Sequence, residues 1–165
     1  MKHIITALVE NQPGVLARIV GLISGRGFNI ESLCVAPTHD PSVSRITMGV
    51  PGDDRVLEQV TKQLNKLVDV INVSDLTRAP LINRELVLFR LCTNRRTRPA
   101  IIALAKAYGA TILLNKPKSL VLQFVGAEKE NTELLELLKP YQIEDLSRTG
   151  VIAITKVGTS DHNAD

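Results

Sequence analysis

Aromatic side chains are scarce: three Phe, two Tyr and no Trp make up 3% of 165 residues. Proteins that hold single-stranded nucleic acid stack bases on aromatic rings, and this chain has little to build such a platform from. Cysteine is scarcer still. Cys34 and Cys92 lie far apart, each in an apolar strand-like run, with no CxxC pair. That pattern leads us to expect buried thiols in a reducing cytosol. The three histidines, His3, His39 and His162, lack metal-ligand spacing, and no HExxH occurs. No charge of one sign dominates, because 20 Lys and Arg stand against 17 Asp and Glu, for a net +3. This is a weak basic bias, not a polyanion-binding footprint. No apolar run reaches the length of a membrane span, and the opening MKHIITALVENQP is too short in apolar residues for a signal peptide. We expect a soluble cytoplasmic protein that binds neither membrane nor nucleic acid. No carboxylate pair, Ser/His/Asp set or metal cluster stands out, so a catalytic site is not expected either.

What the chain does have is apolar content, 44%, enough for real cores. Residues 4–9 form a strand-like run that Gln12-Pro13-Gly14 breaks. Val15, Leu16, Ile19, Val20 and Ile23 then repeat at helical spacing, with Pro13 placed in the first turn. Gly25 and Gly27 suit a helix stop. Strands are expected at 30–36 and 44–50, a helix opened by Pro51-Gly52-Asp53-Asp54, and a strand at 68–76. The order is βαββαβ. It recurs after a polar linker at 78–84. Strand 85–92 comes first, then a helix from Arg98-Pro99 to Gly109. Strands 111–115 and 120–125 follow, with a leucine-rich helix from Thr132 and a last strand over 143–156, bent at Thr149-Gly150. We therefore expect an α+β chain of two ferredoxin-like βαββαβ sandwiches, residues 1–77 and 85–158, with a disordered tail at 159–165. Both parities of strand 4–9 are largely apolar, and helices cover only one face of a sheet. The other face calls for a partner, most simply a second copy of the chain.

The stretch ENQPGVLARIVGLISGRGFNIESL, residues 10–33, puts glycine at both ends of one apolar helix. A helix N-terminus offers unpaired N–H groups and partial positive charge, a seat for a carboxylate. Gly14 lets a ligand approach that backbone. Asn11 and Asn29 can donate and accept, so either could meet an ammonium group. Val15 and Ile30 could line a small apolar pocket. Together these describe an amino acid such as valine. The plainer alternative is that the glycines are turn punctuation and the asparagines local caps. A dinucleotide motif is excluded, because the glycines of GRGFNI follow the helix instead of preceding it.

ENQPGVLARIVGLISGRGFNIESLCVAPTHD, then SRITM, then LEQVTKQLNKLVDVINVSDL, resemble the regulatory (small) subunit family of acetohydroxyacid synthase, also called acetolactate synthase. Residues 2–77 are similar to that family's ACT domain, an amino-acid-sensing module. RELVLFRL and LLKPYQIEDLSRTGVIAITK fit its second half, while TNRRTRP and QFVGAEKEN depart from the pattern. The resemblance implies a subunit with no active site and no cofactor of its own. It implies a catalytic large-subunit partner that carries thiamine diphosphate, Mg²⁺ and FAD and makes acetolactate for branched-chain amino-acid synthesis. The small subunit would activate that partner and confer feedback inhibition by valine, bound between the ACT domains of a homodimer. On this chain Asn11, Gly14 and Val15 would supply one wall, and Asn29 and Ile30 of the second chain the other. Cys34 stands where relatives commonly have a hydroxyl.

Two other readings stay open at this point. One is a stand-alone ACT-type amino-acid sensor acting on another enzyme or on a transcription factor. The other is an enzyme whose arginines, Arg45, Arg84, Arg95, Arg96 and Arg98, handle an anionic substrate. Solvated surface or a protein contact accounts for those arginines more simply.

Overall fold

The computed structural model describes residues 2–156. They form two units, one built from residues 2–82 with 151–156 and the other Asn83–Gly150. The expected tail at 159–165 and the end of the expected second domain lie outside the described residues.

In the first unit the order is β1 (Lys2–Glu10), α1 (Val15–Ser24), β2 (Ser32–Pro37), β3 (Val43–Pro51), α2 (Asp54–Leu64) and β4 (Val70–Asp75). The strands lie β2-β3-β1-β4, and every pairing is antiparallel. β1 therefore runs centrally, between β3 and β4. Its alternation decides which side is core. Ile5, Ala7 and Val9 join Ile46, Met48 and Val50 of β3 beneath Val15, Ile19 and Ile23 of α1 and Val60 and Leu64 of α2. The opposite row of β1 is Ile4, Thr6 and Leu8. Thr6 and Thr47 are only 7% and 3% exposed in the single chain, so the centre of that face is less bare than the sequence suggested. His3 is fully buried, with Nε2 3.1 Å from the Asp53 carbonyl.

The second unit repeats the plan with β5 (Leu81–Cys92), α3 (Arg98–Tyr108), β6 (Thr111–Lys116), β7 (Ser119–Gly126), α4 (Glu128–Leu138) and β8 (Ile143–Arg148). The strand order is β6-β7-β5-β8; the last strand in sequence, β9 (Ile152–Thr155), belongs with the first unit. Val87, Phe89 and Leu91 of β5 meet Leu120, Leu122 and Phe124 of β7 under Ile101, Ala105, Leu134 and Leu138. The α+β architecture of two ferredoxin-like sandwiches is as expected.

Three boundaries and the burial of the thiols differ from expectation. β5 begins at Leu81, inside the expected linker, directly after Pro80. The last strand is two strands, because Gly150 takes φ +79° between them. α4 starts at Glu128, not Thr132. The Glu130 carboxylate accepts the Ala127 N–H at 2.6 Å and secures a first turn that has no apolar residue to announce it. Cys34 and Cys92 are half-buried free thiols, not fully buried ones.

Ile5 is 0% exposed in the central strand. Ile5→Ala should cost about 2–5 kcal/mol through lost burial and the cavity left behind. Urea unfolding should show a lower midpoint with an unchanged slope.

Candidate functional site

The chain leaves β1 at Glu10 and turns at once. The Val15 N–H reaches back to the Gln12 carbonyl at 3.4 Å, closing a four-residue turn around Pro13 and Gly14. Gly14 has φ +86° and ψ −13°, the third-position geometry of a type II turn. Pro13 therefore lies before the helix, not in its first turn as expected, and Gly14 is the N-cap. Proline sets φ at the turn's second position, and only glycine takes the third without strain.

This leaves the start of α1 open. No side chain among the described residues caps it, and its first turn has no acid. The Arg18 N–H bonds the Gly14 carbonyl at 3.0 Å, while the N–H groups of Leu16 and Ala17 find no acceptor among the described residues. The other helix starts carry more local bonding, although α3 likewise has no side-chain cap and no acid in its first turn. Asp53 accepts the Val56 N–H at 3.0 Å at the start of α2. Asn94 Oδ1 accepts the N–H groups of Arg96 and Thr97, each at 2.9 Å, ahead of α3. Glu130 serves α4.

Asn11 is tied down beside this opening. Its backbone N–H bonds Ser42 O at 2.7 Å, and its side-chain amide donates to Pro41 O at 2.9 Å. The Oδ1 acceptor remains for a donor such as an ammonium. Val15 sits differently from the expected pocket wall. Its side chain is 3% exposed and belongs to the core, so what it can offer a ligand is backbone. Asn29 is exposed, in the segment between α1 and β2, and Ile30 packs half-buried against the core. Gly27, with φ +75°, turns the chain out of α1 toward them. Gly25 stays right-handed, at φ −63°. Asn29 and Ile30 thus lie at the far end of α1 from Gly14. A ten-residue helix spans about 15 Å at 1.5 Å per residue. One chain does not bring the two expected walls together.

A cation the sequence did not single out lies beside this helix start. Arg18 lies one turn along α1 from Gly14. Its Nε and Nη2 donate to the two carboxylate oxygens of Asp69, each at 2.8 Å. Its Nη1 would be 3.1 Å from a Cβ placed on Gly14. The hydrogen bond from Arg18 holds the Asp69 carboxyl below its ordinary value, and the same bond raises Arg18. Spacing of i to i+4 from Gly14 was the available signal for Arg18. Asp69 gives none, because 51 residues separate it from its partner. Open N–H groups, a glycine that admits close approach and a braced guanidinium favour a carboxylate. Among the described residues no group of three or more His, Cys, Asp or Glu could hold a metal ion, and no helix is long and apolar enough to cross a membrane.

Residues 5–72 match the model of the AHAS small subunit-like ACT domain, and residues 84–157 match that of the small subunit of acetolactate synthase. The chain belongs to the acetolactate synthase small-subunit family. The acetolactate synthase small subunit of Aquifex aeolicus is 42% identical over 156 residues, covering 94% of this chain and 81% of the relative. The probable acetolactate synthase small subunit of Archaeoglobus fulgidus is 44% identical, covering 94% and 98%. The crystal structure of the acetolactate synthase small subunit from Thermotoga maritima superposes with a TM-score of 0.87 at 30% identity, covering 95% of this chain and 98% of that one. All five expected site residues of this family member fall within the matched ACT segment.

Two outcomes test this local geometry. Gly14→Ala forces an L-residue into left-handed backbone and against Arg18, and should cost roughly 1–2 kcal/mol in thermal unfolding. Asp69→Asn should melt below wild type at neutral pH. The Asp69 contribution is fully present above the unfolded carboxylate value and is lost as pH falls through the lowered folded one. The two melting curves should therefore converge toward acid.

Proposed function

We propose that this chain is the regulatory subunit of an acetolactate synthase. It activates a catalytic subunit and makes it sensitive to valine in branched-chain amino-acid synthesis. The chain carries no catalytic site and no cofactor. Thiamine diphosphate, Mg²⁺ and FAD belong to the catalytic partner. The match of the second half to the small-subunit model supports this reading over a stand-alone sensor.

The observation that carries the sensing role is the open start of α1. Leu16 and Ala17 offer N–H groups to the valine carboxylate, and Arg18 adds positive charge. Asn11 Oδ1 lies beside them as an acceptor for the ammonium. The second wall, Asn29 and Ile30, comes from a second copy.

Two features support a homodimer through the first unit. α1 has one charged residue in ten, Arg18, and its other exposed positions are Leu16, Ala17, Gly21 and Ser24, with Val20 half-buried. α2, by contrast, shows Arg55, Glu58 and Lys62. A helix apolar on its outer side is usually covered. β2 is also a sheet edge, with Val35 38% exposed, and its free backbone groups are a template for another chain. Joining there places the segment holding Asn29 at the junction.

Valine should raise the melting temperature by several degrees and aspartate should not, since ligand at a hundredfold excess over Kd stabilises by about 2.7 kcal/mol. An equal response to both removes the sensor. Gly14→Asp opposes the ligand carboxylate and Asn29→Ala weakens the facing wall. In a mixed dimer of the two, one site carries both lesions and the other neither. Calorimetric titration should then count half the valine sites, against none in the Gly14→Asp homodimer.

A further inference from the structure

Between Glu85 and Glu128 the chain contains seven Lys and Arg and no Asp or Glu. At the chain's overall density of 17 acids in 165 residues, about four would fall in that stretch. Two of the cations have local reasons. Arg90 stands opposite Asp145 across the β5–β8 pairing, and Lys106 sits in the last turn of α3, where positive charge suits the helix end.

The other five converge. Arg95, Arg96 and Arg98 lie at the start of α3, and Lys116 and Lys118 flank the β6–β7 turn. Hydrogen bonds lock the two loops side by side. The Thr93 N–H donates to Lys118 O at 3.0 Å. Arg98 Nη1 donates to Lys116 O at 2.7 Å, and its Nη2 donates to Asn115 Oδ1. Arg98 is used as a brace. Arg95, Arg96, Lys116 and Lys118 remain exposed, and no carboxylate among the described residues lies within ion-pair distance of them.

Folding does not call for this arrangement. Like charges held together repel, and arginines at a helix start oppose its dipole. α2 and α4 place acids there instead. Elsewhere some surface cations are paired, Arg78 with Asp54, Lys62 with Glu58 and Lys139 with Glu136, and those without an ion pair among the described residues, such as Arg45, Arg55 and Lys66, are scattered along the chain and not gathered at one helix start. A binding role accounts for an unpaired, braced cluster. Nucleic acid fits it poorly, since Asn94–Arg98 and Asn115–Ser119 contain no aromatic residue, and Tyr108 and Phe124 pack edge to face against each other at 6.1 Å. A small anion fits poorly too, because Asn94 already occupies the Arg96 and Thr97 N–H groups. Arginine-rich, exposed and broad, the cluster fits an acidic protein surface.

We infer that Arg95, Arg96, Lys116 and Lys118 form a basic cap that docks an acidic patch of the catalytic subunit. This rests on the regulatory-subunit reading. The test uses full-length chain and catalytic subunit, with association followed by interferometry at low and moderate salt. Arg95→Glu/Arg96→Glu should weaken binding roughly tenfold, mostly through slower association, and flatten the salt dependence. Its melting temperature should equal or exceed wild type, because acids suit a helix start. Arg95→Lys/Arg96→Lys should bind nearly as wild type. The valine-induced thermal shift and the self-association should not change. Wild-type affinity in the reversal variant overturns the cap while leaving the regulatory reading intact. Failure of wild-type chain to bind the catalytic subunit overturns both. Loss of self-association, or of binding to a short RNA, with subunit affinity unchanged, assigns the cap to a second copy or to nucleic acid and overturns it as well.

Discussion

The first unit depends on the register of β1. Its nine residues pair with β3 from Lys2↔Pro51 to Glu10↔Val43, while its other edge carries β4. Because side chains alternate, a slip of one residue would turn Ile5, Ala7 and Val9 out of the core and bring Ile4, Thr6 and Leu8 in. The same register places Asn11 against Ser42 and Pro41 and sets where the turn to α1 begins. The helix start is therefore held by the sheet, and its open N–H groups keep a stable position. β5 has the same part in the second unit, with Val87, Phe89 and Leu91 facing inward between β7 and β8.

Against that frame, the charges distinguish one helix start from another. α2 and α4 begin with carboxylates that bond backbone N–H groups, the usual way of stabilising an exposed helix. α1 gives this up. The charges beside it are the Arg18 guanidinium and the Asp69 carboxylate that it bonds, so no carboxylate is committed to its open N–H groups. A local departure from optimal capping, inside a well-packed unit, is where a ligand-binding role is expected.

Much of this was legible from residue spacing. Alternation of Ile46, Met48 and Val50 gave β3, and the period of Val15, Ile19 and Ile23 gave the buried side of α1. Gly14 and Asn11 were legible because turn chemistry is local. What escaped were features without a local signal. Glu128 to Asn131 is polar, so the first turn of α4 had no apolar period to show it. The period of α1 places the Val15 side chain with Ile19 and Ile23 in the core, leaving its backbone to face a ligand. The Arg18–Asp69 pair joins α1 to the residue before β4, and only the tertiary fold makes them neighbours.

Both units thread four strands in the same order, with the first helix after the central strand. The start of α1 and the start of α3 are thus the same place in two copies of one architecture. In one copy that corner is left bare; in the other it is filled by an asparagine and ringed with arginines. Repetition of a scaffold within a single chain frees each copy's corner to diverge.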